Sequence, residues 1–173
     1  MTKGEGKLVM KALSGAKRIE KIGGEGKAFW IAGENCTDYG YSNEEKTENT
    51  DRIWGRIELS TEGNKDDEFF NVLYVTDAEN DKLAEASASE NDKVRSATLL
   101  GVTAVFVRSS ERECESLSFI GADGTERYYV SGVCAGEWEI FRNGSSCGSA
   151  TATDEGGFLA FDAPSGKIEI SRK

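Results

Sequence analysis

Short runs of Val, Ile, Leu, Phe, Tyr, Trp and Thr recur along this chain, separated about every 8–15 residues by clusters of Gly, Asn, Asp and Ser. That rhythm is too quick for helices and suits β-strands joined by tight turns. In residues 53–60, Ile57 and Leu59 alternate with Arg56, Glu58 and Ser60, as a strand with one buried face requires. Residues 102–107, Val-Thr-Ala-Val-Phe-Val, are apolar on both faces and read as a central strand. The same pattern predicts strands at 7–13, 18–22, 28–32, 69–76, 96–100, 102–108, 116–120, 127–133, 138–142, 149–153, 158–161 and 167–171. Gly23-Gly24-Glu25-Gly26, Asp123-Gly124, Asn143-Gly144 and Glu155-Gly156-Gly157 supply turn residues that tolerate positive φ. Pro164-Ser165-Gly166 places Pro early and Gly late, as a tight turn prefers. The strands from 116 onward therefore read as a meander, each pairing with the next.

Helical signals are weak. Residues 77–90 contain helix formers but a single large apolar residue, Leu83, and a helix without an apolar stripe is marginal. They read as a surface loop with at most a turn of helix, and residues 37–51 as a second long polar loop. The expected fold is all-β: an antiparallel β-sandwich of two sheets with glycine-rich turns and little helix. It is expected as one domain over 1–173, because 173 residues can bury a core without help from metals or disulfides.

Charge narrows the partners. The net charge of −10, from 31 acidic and 21 basic residues, offers no basic footprint for phosphates, so no nucleic acid is expected. The same field repels sulfated or uronate glycans from the bulk surface. It leaves neutral stretches, or the locally basic first residues with Lys11, Lys17, Arg18, Lys21 and Lys27. No apolar run approaches the roughly 18 residues of a membrane helix, so no membrane partner is expected either. The first residues also lack the apolar stretch of a signal peptide, which leaves either a cytoplasmic protein or a piece of a longer secreted one.

Chemistry is limited by the absence of histidine. Serine triads, Cys–His pairs and mixed zinc ligand sets are all excluded, and no catalytic residue is assigned. Gly23–Lys27 lacks the spacing and the following helix of a phosphate-binding loop. The acid clusters Asp66-Asp67-Glu68 and 77–81 lack the ligand spacing of an EF-hand. No metal site is assigned to them, no cofactor is expected, and a structural calcium ion stays open as an alternative. Four cysteines stand at 36, 114, 134 and 147. Folding a hairpin about Asp123-Gly124 brings Cys114 to within about one residue of facing Cys134, which predicts that disulfide. Cys36 and Cys147 are expected as buried free thiols. Aromatic rings hold sugars by stacking. Tyr39 and Tyr41, in a polar loop, are the first candidates for glycan contact; Trp30 and Trp54 are further candidates, although strand positions favour core packing.

Residues 17–35 contain a lysine-isoleucine-glycine-glycine-x-glycine turn at 21–26, the aromatic pair Phe29-Trp30, and a Gly33-Glu34-Asn35 turn. Gly6-Lys7-Leu8, Trp54-Gly55-Arg56-Ile57-Glu58 and Phe69-Phe70-Asn71-Val72-Leu73 each begin or form a strand of similar type. Together these residues resemble the C-terminal β-sandwich region of heparinase II/III-like polysaccharide lyases. The likeness is best over 5–76; the later half shares only the style of short strands and glycine turns. The resemblance implies a non-catalytic sandwich that braces an α/α-toroid catalytic domain and contacts polysaccharide, in a secreted or periplasmic protein. In that family the toroid carries tyrosine, asparagine and histidine chemistry, and the sandwich can add a further histidine. This chain has no histidine, so no lyase activity of its own is expected. The alternative is a free-standing carbohydrate-binding module, for which the Tyr39/Tyr41 loop is the discriminating feature.

Overall fold

The computed structural model describes residues 2–3, 5–23, 30–31, 33–35, 55–63 and 67–173. Strands make up 63% of these residues, and there is no helix among them. The chain divides into two compact units, 1–13 with 72–173, and 14–71.

The larger unit is built around two sheets. One has five strands: β8 (Ala86–Glu90), β9 (Val94–Leu99), β10 (Val102–Val107), β12 (Arg127–Ser131) and β15 (Phe158–Asp162), in the order β15-β12-β10-β9-β8. The other has four: β11 (Ser116–Gly121), β13 (Gly136–Arg142), β14 (Ser145–Ala152) and β16 (Gly166–Arg172), in the order β11-β16-β13-β14. A third sheet, β1-β2-β7, is formed by β1 (Thr2–Lys3), β2 (Gly6–Ser14) and β7 (Phe70–Asp77). The smaller unit contains β3 (Arg18–Gly23) paired antiparallel with β6 (Gly55–Ser60), and β4 (Trp30–Ile31) paired with β5 (Glu34–Asn35).

Alternation along the strands makes the sandwich core. In β10, Thr103 and Val105 are buried while Val102 and Phe106 are exposed; in β12, Tyr128 and Val130 are buried while Tyr129 is exposed. The inward rows of both sheets meet as one cluster, which includes Val94, Leu117, Phe119, Trp138, Ile140, Leu159, Ile168 and Ile170. Tyr128 lies between Phe161, stacked at 5.2 Å, and Phe119 at 5.9 Å. Gly121 is glycine for want of space, because a Cβ there would overlap the Tyr128 hydroxyl. The buried hydroxyls of Thr103 and Thr125 satisfy each other at 2.8 Å, and Thr98 extends the chain at 2.7 Å.

The expected meander does not form. After β10 the chain crosses to the four-stranded sheet as β11 and returns as β12, which lies beside β10 in parallel register, Val102 opposite Arg127. Parallel neighbours require such a crossover. The turn at Asp123-Gly124 is real, closed by Thr125 N–H on the Ala122 carbonyl at 3.0 Å, but it connects sheets rather than paired strands. Residues 86–90, assigned to a loop on composition, form the edge strand β8. Ala-Ser-Ala-Ser-Glu has little strand propensity, and its ladder with β9 overrides that preference.

Two hairpin turns show how local chemistry fares. Asn143 (φ 49°) and Gly144 (φ 82°) join β13 to β14 with the residues such a two-residue turn prefers. Leu100 (φ 50°) and Gly101 (φ 77°) join β9 to β10, and here an exposed leucine takes the left-handed position. A branched side chain in that region costs about 1 kcal/mol or more. Leu100→Asn should therefore stabilise the protein by about 1 kcal/mol, read as a raised midpoint in urea; an unchanged or lowered midpoint would contradict the strain.

Candidate functional site

The sequence-nominated glycan residues are not brought together among the described residues. Tyr39, Tyr41 and Trp54 lie outside them, and Trp30 is described only as backbone of β4. The cysteines are placed. Cys114 and Cys134 are joined in a disulfide with Cα atoms 4.9 Å apart. No hairpin brings them there. Glu113 and Val133 form an isolated parallel bridge, in which Glu113 N–H donates to the Gly132 carbonyl at 2.8 Å and Cys134 N–H to the Glu113 carbonyl at 2.9 Å. Cys147 is a free thiol but exposed, not buried as expected. It is the additional residue where the β13–β14 register shifts, so it bulges at a sheet edge rather than facing the core.

Glu113 links this corner to the other sheet. Its carboxylate accepts from Lys93 Nζ at 2.9 Å and from Glu115 N–H at 3.0 Å. The Lys93 hydrogen bond, helped by the Glu115 amide, holds its pKa below the ordinary value. Glu90 and Glu137 are lowered in the same sense, by Arg95 and by Lys173 with Ser149 respectively. A carboxyl whose pKa is depressed on folding contributes stability above its unfolded pKa and loses it as pH falls through the folded value. The midpoint of unfolding should therefore fall as the medium is acidified below the ordinary glutamate range. Glu113→Gln should lower the neutral-pH midpoint and shrink that acid slope; an unaltered slope would assign the acid loss to other groups.

Acid residues 77–81 were the second candidate calcium loop. Asp77, Glu79 and Asn80 gather with Glu5 around a surface depression, and Lys7 Nζ donates to the Asn80 carbonyl at 2.9 Å. Lys7 thus already serves one acceptor at the rim, the Asn80 carbonyl. Among the described residues no three His, Cys, Asp or Glu side chains cluster in a way that would hold a metal.

The two outer faces of the sandwich differ in chemistry. On the five-stranded sheet, cross-strand register aligns Ala88, Ala97, Ala104, Tyr129 and Ala160 in one row. Phe106, Ser131 and Phe158 share the next row with Glu90 and Arg95, and Val102 and Leu99 lie on the other side with Ala86 and the Arg127–Asp162 ion pair. Phe106, Tyr129 and Phe158 are 45%, 42% and 49% exposed. The Arg127 guanidinium sits 5.5 Å from the Tyr129 ring centre. This is an apolar, aromatic surface on a side of a sheet that would be polar in a solvated sandwich. The outer face of the four-stranded sheet is mainly polar: Ser116, Ser118, Glu137, Glu139, Ser149, Glu169 and Ser171 point outward, with Ile120 and Phe141 as its apolar exceptions. None of the aromatics on either face was nominated from sequence. The strands at 102–108 and 127–133 were legible there, but the exposure of Phe106 and Tyr129 was not, because residues 102–107 read as apolar on both faces.

Residues 88–172 match the model of the heparinase II C-terminal domain. Those residues are therefore similar to the C-terminal region of heparinase II/III-like proteins. No curated protein matches the chain. The heparinase II match spans the two sheets from within β8 to the end of β16. It thus falls on the half that shared only strand style with the family, and not on residues 5–76, where the sequence motifs placed the likeness. Glycine turns and aromatic strand pairs recur in many β-proteins, which makes such motifs poor markers of position. The matched residues therefore include most of both outer faces and the Cys114–Cys134 corner.

Proposed function

We propose that this chain is a non-catalytic β-sandwich of a heparinase II/III-like polysaccharide lyase, which braces an α/α-toroid catalytic domain through the outer face of its five-stranded sheet. The observation that carries this reading is the exposed apolar surface around Phe106, Tyr129 and Phe158. Strand spacing and rise give that face an area of roughly 300–400 Å². Two copies packed face to face would bury too little for the ~1,200 Å² or more of a stable complex. An interface within one longer chain needs less, since the tether supplies effective concentration. A secreted or periplasmic setting accords with a disulfide and with polysaccharide as the substrate of the whole protein.

The chain itself supplies no elimination chemistry. Removing a proton beside a uronate carboxylate needs a base and a group that neutralises the carboxylate, and there is no histidine to act as that base. Purified chain should release no unsaturated uronate from heparin, heparan sulfate, alginate or hyaluronan. Added to a heparinase II-type toroid lacking its own C-terminal region, it should bind and raise the toroid's melting temperature, and the pair Phe106→Glu with Phe158→Glu should abolish both effects. Lyase turnover by the chain alone, or equal binding by the paired variant, would overturn the reading. Capture by polysaccharide through Phe106 and Phe158, with no toroid binding, would make it a free-standing module instead.

A further inference from the structure

A groove of about 500 Å³ crosses the opposite, polar face of the sandwich, over β11, β16 and the end of β13. Register fixes its floor: Ser118 and Phe141 flank Glu169 on either side, and Ser116 lies opposite Ser171. Phe141 is half-buried, and its partner on β14 is Ser146, so no large side chain on that strand covers its ring. Lys93 closes one end, where its ammonium donates to the Ser116 carbonyl at 3.2 Å and to Glu113. Asn91 caps the same strand edge by donating to the Ser118 carbonyl at 2.8 Å.

The geometry points to a saccharide subsite here, for an uncharged pyranose unit of the polysaccharide, separate from the docking face. The inference rests on the polysaccharide reading above. A flat ring with serine hydroxyls and a carboxylate beside it matches a sugar, which has an apolar C–H face and an edge of hydroxyls that both donate and accept. Charge decides which sugar. Lys93 is neutralised by Glu113 and Glu169 by Lys167, and the net charge of −10 repels sulfates and uronates. Because the groove and the apolar face lie on opposite sides of the sandwich, the glycan is held away from whatever covers the five-stranded sheet. The subsite anchors the polymer and takes no part in bond cleavage.

The test is an amide NMR titration of the intact chain with a desulfated, N-acetylated, carboxyl-reduced heparin tetrasaccharide, and with its native sulfated counterpart. The neutral sugar should move amides at 116–118, 141–144 and 169–171 with a Kd of about 1 mM, and the sulfated one should bind more weakly. Phe141→Ala should weaken binding roughly tenfold, the loss expected for one sugar–aromatic stack. Ser171→Arg, at an exposed position, should block the groove with the core untouched and keeps the test valid should Phe141→Ala misfold. Phe106→Glu should leave sugar binding unchanged, and Phe141→Ala should leave toroid docking unchanged, so the two readings fail separately. No shifts at roughly ten times that concentration, tighter binding of the sulfated sugar, or indifference to both groove variants would overturn the subsite.

Discussion

Trp138→Ala should be the most damaging single substitution in the sandwich, lowering stability by about 3–5 kcal/mol. Trp138 is fully buried in β13, which is hydrogen-bonded to both β14 and β16, and it belongs to the cluster that joins the two sheets. Its Nε1–H donates to the Cys134 carbonyl at 3.0 Å. Truncation removes the largest side chain of the core and leaves a cavity that ladders on both sides keep from collapsing. A domain of ordinary stability, about 5–15 kcal/mol, would lose a large part of its margin. Trp138→Phe separates the two contributions: it keeps much of the apolar volume but orphans the Cys134 carbonyl, at about 1–2 kcal/mol. Urea denaturation followed by far-UV circular dichroism measures both. A loss below about 1 kcal/mol for the alanine variant would show that the sheets are held together elsewhere.

Removing the disulfide should be nearly as harmful. Cys114 and Cys134 are 20 residues apart in sequence, and opening a loop of that size lowers stability by about 3 kcal/mol through the freedom returned to the unfolded chain. The paired change Cys114→Ser with Cys134→Ser, or reduction of the native chain, should lower the urea midpoint by equivalent amounts. The effect should not add simply to that of Trp138→Ala, because the Trp138 indole bonds the backbone of Cys134 itself. Peptide mapping under non-reducing conditions should recover the Cys114–Cys134 pair. Recovery of Cys36 joined to Cys147 would refute the pairing, and a midpoint indifferent to reductant would refute the stabilisation.

Sequence by itself determined the fold class. Short apolar, β-branched and aromatic runs such as 102–107 and 127–133 mark strands whatever the neighbouring strand, and Asn143-Gly144 specifies its turn through backbone preference alone. These are local properties, legible because a strand's two faces and a glycine's φ need no distant partner. The absence of histidine likewise limits the chemistry whatever shape the chain adopts. Tertiary structure decided what depends on partners far along the chain. The parallel pairing of β10 with β12 follows from a crossover that no dipeptide encodes, and it replaced the expected meander. That pairing also explains why Cys114 and Cys134 meet although the hairpin invoked for them is absent: Glu113 and Val133 bridge in parallel across the same crossover. The small residues of β8 became a strand only because β9 offered a ladder. The exposure of Cys147, the open ring of Phe141 and the apolar face around Phe106, Tyr129 and Phe158 depend on which side of each sheet another sheet covers. Alternation tells a chain that it has two faces, and only packing chooses which one meets water.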